Sequence, residues 1–345
     1  MKISTFGEIM LRLSTVDNER ISQSKYFEIS FAGSEANVAV NLSIWGEDTF
    51  FITTIPNNEI GGSVLYELKR YGVDTSYIKR LTDSRLGTFY IEKGSNYLPS
   101  NVIYDRMHSS FIIDTYNEEF FDSAFRNANW FHWSGITPGL GLNTIENIKN
   151  ATKSSRKLGL TISCDLNYRS KLWKNVGNPK DIMPELLSNT NVIIGNEEDA
   201  QIMLDLDDID VVDVNHGTID EQYYKQICNS IFKKYPNCNV IAFTLRESKS
   251  ADHNVWSAIL STRDVFFTSQ KYEIKNIVDR VGAGDTFAAG IIYGINNFQD
   301  DFQKILEFAT AASCLMHSIK GDFCICNLET IFKLMSGNKS GRIVR

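Results

Sequence analysis

The chain has 345 residues, 43% of them hydrophobic and 22% charged, and a formal net charge of −7. That length can bury a sizeable core as one large α/β domain or two smaller ones, and an acidic balance without a long Lys/Arg cluster argues against general nucleic-acid binding. Met1 to Glu8 has no extended apolar core and Glu8 and Arg12 interrupt the run early, so neither a secretory signal nor a membrane span is expected, and the expected location is the cytoplasm.

Lys2 to Ile9 reads as a first strand running on into Met10-Leu11-Arg12-Leu13, and Tyr26 to Phe31 as the next. Ala32-Gly33-Ser34-Glu35-Ala36-Asn37 then opens a helix; Ser34 is placed as its N-cap, and Asn37, one turn in, faces the same mouth as Gly33. Asp48 to Ile55 is a further strand and Gly61-Gly62-Ser63 introduces a helix ending near Tyr71. This alternation implies a parallel sheet with crossover helices. Leu86 to Lys93 and Asn101 to Arg106 bracket Gly94-Ser95-Asn96 and Pro99, the pattern of an antiparallel excursion able to cover a site. Tyr104 and Arg106 share a strand face, which Tyr90 joins if the hairpin pairs accordingly; ordinary surface packing is the alternative for such a trio.

Trp130 to Ile136 reads as a strand and turn in which His132 is a core or rim residue, and Gly159 to Asp165 as a buried strand. Asn167-Tyr168-Arg169 emerges at the C-terminal end of that strand, where open α/β sheets bind ligands, so Arg169 either meets a ligand or pairs with a nearby carboxylate. Asn191 to Asn196 is another strand, and Glu197-Glu198-Asp199 puts three acids in a helix's first turn, which the dipole favours with or without a function. The acidic, aperiodic Asp205 to Asp220 is expected to be a surface insertion, with Tyr223 to Phe232 helical, Val240 to Leu245 and Val255 to Leu260 neighbouring strands, and Ile305 to His317 a last long helix. The six cysteines lack Cys-x-x-Cys spacing, so reduced thiols are expected.

The densest signal is Val278-Asp279-Arg280-Val281-Gly282-Ala283-Gly284-Asp285-Thr286-Phe287, followed by an apolar helical run. Small residues leave the amides of Gly282, Ala283 and Gly284 open at a helix start, a cradle for an anion. Asp285 sits in the first turn, where the dipole favours the ionised form, beside whatever the cradle holds. A base next to an anion site suits transfer of an anionic group to a hydroxyl, although a tight turn with an Asp N-cap has the same local sequence.

Asp279-x-x-Gly282-Ala283-Gly284-Asp285-Thr286-Phe287-x-x-Gly290, taken with Gly33-x-x-x-Asn37-x-Ala39, resembles the two signatures of the ribokinase-like (PfkB-type) carbohydrate kinases, and the likeness spans almost the whole chain. It implies a three-layer α/β/α ribokinase-like fold with a mostly parallel central sheet and a small projecting β-sheet lid, one kinase domain over residues 1–345 with lid segments near 12–31 and 86–106. It further implies ATP and Mg²⁺, a monovalent cation such as K⁺ near Asp279, and a homo-oligomer through the lid. Asp285 becomes the base, and the amides of Gly282, Ala283 and Gly284 hold the transferring phosphoryl group. Among these kinases the chain looks most like those acting on 2-keto-3-deoxygluconate, on Tyr90, Tyr104, Arg106, His132-x-Ser134-Gly135-Ile136, Asp165-x-Asn167-Tyr168-Arg169 and Ser318-Ile319-Lys320-Gly321-Asp322-Phe323.

That likeness assigns Gly33, Asn37, Tyr90, Tyr104, Arg106, Arg169 and Asp322 to a sugar acid, whose carboxylate two guanidinium groups would satisfy. Asn196 and Asp199 match the element that organises water around Mg²⁺, with Asp where the family has Glu. Thr244 and Arg246 match the nucleotide-approach loop, but Arg246-Glu247-Ser248-Lys249 is bulky where glycines are usual. No Gly-x-x-x-x-Gly-Lys-Ser/Thr occurs, so this is not a P-loop enzyme. The other readings are a kinase for a neutral sugar (fructose, ribose) or nucleoside, and a catalytically silent sugar-binding regulator on the same scaffold.

Overall fold

The computed structural model describes residues 1–206 and 221–337. In chain order its strands are β1 (Lys2–Phe6), β2 (Met10–Thr15), β3 (Phe27–Ala32), β4 (Asp48–Pro56), β5 (Ile78–Leu81), β6 (Thr88–Glu92), β7 (Asn101–Asp105), β8 (Trp130–Ser134), β9 (Thr161–Asp165), β10 (Val192–Gly195), β11 (Val240–Ser250), β12 (His253–Ser261), β13 (Phe266–Thr268) and β14 (Tyr272–Lys275). Ten form one sheet, ordered β13-β12-β11-β10-β9-β8-β1-β4-β5 with β14 paired on β12. From β11 to β5 every pairing is parallel, while β12 runs antiparallel to β11, β13 and β14. Parallel strands need crossover segments, and the helices that make them cover both faces. Strand periodicity therefore sends alternate residues into two cores: Ile193 and Ile241 into one with Phe6 and Phe131, Val192, Ile194 and Ala242 into the other with Ile3 and Trp130.

A second sheet, ordered β3-β2-β6-β7, stands apart as the lid. Its β2–β3 and β6–β7 pairings are antiparallel and its central β2–β6 pairing parallel. The overall plan is the three-layer α/β/α one with a projecting small sheet, and no described helix is long and apolar enough to cross a membrane.

Several local expectations are corrected. The run from Lys2 to Leu13 is two strands in different sheets, because an apolar run does not show where the chain changes partners. Asn58, not Gly61-Gly62, starts the second helix (Glu59–Arg70): its Oδ1 accepts the Gly61 amide at 3.1 Å, and the glycines lie within the first turns. Gly33 takes the N-cap position of the helix Ser34–Ile44, which frees the Ser34 hydroxyl for another partner. Phe89, not Tyr90, lies opposite Tyr104, so Tyr90 faces away with Ile103. There its ring meets Phe27 edge-on, 5.7 Å between centroids. β11 continues through Arg246 to Ser250 in a hairpin with β12, so the bulky residues stand on a strand. Most of the segment expected as a surface insertion, Asp205 to Asp220, lies outside the described residues.

Candidate active site

Gly282 begins the helix Ala283–Asn297 with φ +84°, a left-handed conformation costly to residues with a Cβ. A Cβ there would also lie 2.3 Å from the Asp322 carbonyl oxygen, so both backbone shape and close approach require glycine. Gly33 answers a similar need: a Cβ would sit 2.0 Å from the Glu8 carbonyl oxygen.

Asp285, in the first turn beyond the cradle, is 8% exposed. The Ser34 hydroxyl donates to its Oδ1 at 2.7 Å and the Asn37 amide to its Oδ2 at 2.6 Å. The two helices are tied again one turn on, where Asn41 donates to Thr286 at 3.1 Å and Thr286 donates back to the Gly282 carbonyl at 2.7 Å. Burial raises the Asp285 pKa, opposed by Ser34, Asn37 and the charge of Arg169. The helix dipole favours the ionised form, and burial opposes it.

At the end of β9, Asp165 is buried among other acids, which pushes its carboxyl well above the usual range: burial acts first, then the charges of Asp285 and Asp199. Asn167, at φ +41°, donates to Ser34 at 3.1 Å and to Asp165 at 3.3 Å. Burial carries Asp199 up to about 6 against the opposing charge of Arg169. Asn196 caps the helix Glu197–Met203, accepting the Asp199 amide at 2.8 Å and donating to the Asp199 carboxylate at 3.1 Å. Arg169 itself is exposed, with one donor on the Tyr168 carbonyl at 2.8 Å. Sequence reasoning missed Glu35, the residue after Ser34. Burial raises its pKa to about 7, although its Oε1 accepts from Ser134 Oγ and Thr137 Oγ1, each at 2.7 Å.

The remaining candidates divide. Tyr104 packs on the inner lid face with Phe89, beside Val281 of the cradle turn. Arg106 is buried and forks onto Glu8 at 2.8 and 2.5 Å, and Ser109 donates to the other Glu8 oxygen at 2.5 Å. Asp322 and Asp279 share one guanidinium, that of Arg12, at 2.6 and 2.5 Å. Thr244 donates to the Gly195 carbonyl at 3.4 Å. Arg246 stands close enough to Arg280 to lower the Arg280 pKa, after burial, and both charges act with burial to bring His317 down to about 4. Arg280 went unremarked in the sequence because its neighbours Gly282 to Asp285 carry the motif. It donates to the Ser250 carbonyl at 2.7 Å and to Asn254 at 3.2 Å. The arrangement offers a buried carboxylate held by neutral donors, the helix-start amides beside it, an acidic cluster at the sheet edge, and two neighbouring arginine charges.

The family profile described as pfkB family carbohydrate kinase matches residues 1–234 and 253–323. A 2-dehydro-3-deoxygluconokinase structure from Thermotoga maritima superposes with a TM-score of 0.90 at 41% identity, covering 98% of this chain and 100% of that one. A PfkB family carbohydrate kinase from Listeria grayi gives 0.86 at 33% identity, over 97% and 100%. A 2-dehydro-3-deoxygalactonokinase from Haloferax volcanii is 27% identical over 340 residues, 99% of this chain and 98% of that protein.

Proposed function

The chain belongs to the pfkB family of carbohydrate kinases, and on that premise we propose that it transfers the γ-phosphoryl group of ATP to the primary hydroxyl of a sugar acid, 2-keto-3-deoxy-D-gluconate giving its 6-phosphate. The observation that carries this reading is the Asp285 carboxylate, one residue beyond the amide cradle and held by two neutral donors. A carboxylate with a raised pKa and no ion pair of its own can take the proton of a substrate hydroxyl, a contribution of about 10²-fold to 10⁴-fold. Gly282, Ala283 and Gly284 present amides where charge on the transferring oxygens would lie. Gly33 and Asn37 flank the same mouth.

Among the described residues no group of three or more His, Cys, Asp or Glu could hold a metal directly. Mg²⁺ keeps its waters and leans on nucleotide phosphates, and Asn196 and Asp199 would hold it through water. When bound, it neutralises charge on the phosphates. The fit rests on the acidic cluster of Asp165, Asp199 and Asp285 and, for the polyphosphate, on the neighbouring charges of Arg246 and Arg280. Thr244 and Arg246, both on β11, are the proposed nucleotide contacts.

The substrate assignment follows the keto-deoxy acids in the relatives' names. Arg169 is the proposed partner of the acid's carboxylate, with Tyr104, Arg106 and Asp322 as further contacts; Tyr90, on the outer lid face with Ile103, is not among them. One observation favours a neutral sugar instead: Arg106 is neutralised by Glu8 and Asp322 by Arg12. A substrate panel decides between them. We expect kcat/KM for 2-keto-3-deoxygluconate to exceed that for fructose and ribose, and preference for a neutral sugar would overturn the assignment. ATP as co-substrate is consistent with a cytoplasmic setting. The outer lid face exposes Ile29 (68%) and Ile103 (45%), which suits a second copy of the chain and is checked by light scattering.

A further inference from the structure

We propose that Arg12 is the resident cation of the phosphoryl cradle, a positioning residue that takes the place a monovalent ion would otherwise fill at Asp279. The inference rests on the kinase reading above. Arg12 stands on lid strand β2, yet its guanidinium is 2% exposed and spent on two aspartates. Nη2 donates to Asp279 at 2.5 Å, Nη1 to Asp322 at 2.6 Å, and Nε to Ser14 at 2.9 Å. Burial works to lower its pKa, but the fields of Asp322 and Asp279 outweigh it and the pKa is raised.

Both aspartates reach the cradle through the backbone. Asp279 Oδ1 accepts the amide of Val281, the residue before Gly282, at 3.2 Å. The Asp322 carbonyl oxygen is the atom that a Cβ on Gly282 would meet. Arg12 therefore clamps the segment entering the cradle to the segment packed beneath it. The Val281 side chain adds an apolar tie, packed against the lid cluster of Met10, Ala32, Phe89 and Ile91. One guanidinium thus joins the lid base, the cradle turn and the chain around Asp322, whose carboxylate lies 310 positions from Arg12 in sequence.

A monovalent cation at Asp279 does not fit this arrangement. Asp279 Oδ2 already receives Arg12 and, at 3.4 Å, the Gly321 amide, while Oδ1 receives Val281. A second positive charge would sit against a buried guanidinium. Two neighbouring buried carboxylates need a cation, and here the chain supplies it. A planar fork also fixes direction at both carboxylates, which a spherical ion does not.

The experiment compares wild type, Arg12→Lys and Arg12→Ala in KCl, NaCl and choline chloride at equal ionic strength, following ATP consumption with whichever sugar turns over fastest. Wild-type kcat should be the same in all three salts; selective, saturable activation by K⁺ would overturn the proposal. Arg12→Ala should lose about 10²-fold in kcat with a smaller change in sugar KM, as expected when a cradle shifts by about an ångström. Its rate should recover in part with added guanidinium or K⁺, and Arg12→Lys should fall between. A folded Arg12→Ala with wild-type kcat, or with a loss that neither cation changes, would overturn the inference. Should Arg12→Ala not fold, the triple variant Arg12→Met/Asp279→Asn/Asp322→Asn removes all three charges together; wild-type kcat in that protein would equally overturn it. Melting temperature gives a readout without substrate: unchanged between KCl and NaCl for wild type, raised by K⁺ or low guanidinium for Arg12→Ala. If no sugar turns over, the kinase reading fails, whereas the melting series still decides the role of Arg12.

Discussion

Asp279 and Asp285 lie six positions apart in one turn and helix start, both buried, yet their surroundings differ in kind. Asp279 is bound by a buried guanidinium, while Asp285 is held only by a hydroxyl and an amide, with Arg169 acting from a distance. The guanidinium fixes Asp279 in place, whereas Asp285, buried and held by neutral donors, retains affinity for a proton. The same residue type is tied to a guanidinium in one position and left to neutral donors in the other, where the proposed base stands.

The largest expected effect breaks the open side of this comparison. Asp285→Asn preserves shape and much of the sugar contact but removes the proton acceptor, so kcat should fall at least about 10²-fold while the fold survives. Steady-state kinetics with circular dichroism check it, and near-normal kcat would remove Asp285 from the base role. In wild type, the acid limb of kcat/KM should lie above the ordinary aspartate range, since burial raises the Asp285 pKa and the base works only when deprotonated.

A smaller effect sharpens the contrast between paired and unpaired acids. Glu35, like Asp285, is held by neutral donors, and burial takes its pKa from an ordinary 4.5 to about 7. The folded protein then binds the Glu35 proton more tightly than the unfolded chain. Its contribution is fully present below about pH 4.5 and is lost as pH rises toward 7. Relative to Glu35→Gln, wild type should therefore lose stability across that window, on the order of 2 to 3 kcal/mol, and no further above it. Urea titrations of both proteins at several pH values measure the difference, and a flat one would show Glu35 ionised throughout.

The smallest effect concerns Arg169, the cation acting on the acidic cluster from the exposed rim. Because it is solvated, Arg169→Leu should cost on the order of fivefold in kcat/KM for the keto-deoxy acid, and less for neutral sugars. Equal losses on both would mean that the arginine serves the acidic cluster itself.

Local chemistry in the sequence is enough to mark the helix start at Gly282. A turn of Gly-Ala-Gly-Asp needs a left-handed residue that only glycine adopts cheaply, and the apolar run behind it has helical spacing, so the start of the helix was legible before any contact was known. The alternation of strands and helices was legible for the same reason, each element carrying its own period. Long-range partners were not. Ser34 read as an N-cap because a serine before a helix usually is one, but with Gly33 in that position its hydroxyl reaches Asp285, 251 positions away. Tyr90 read as a neighbour of Tyr104 because sequence spacing leaves register open, and the pairing of Phe89 with Tyr104 turns Tyr90 outward. Arg106 and Asp322 read as free to meet a ligand, since a charged residue does not announce its counterion. Glu8 and Arg12 are brought to them only when the lid folds over the cradle, and buried charges at that junction require partners.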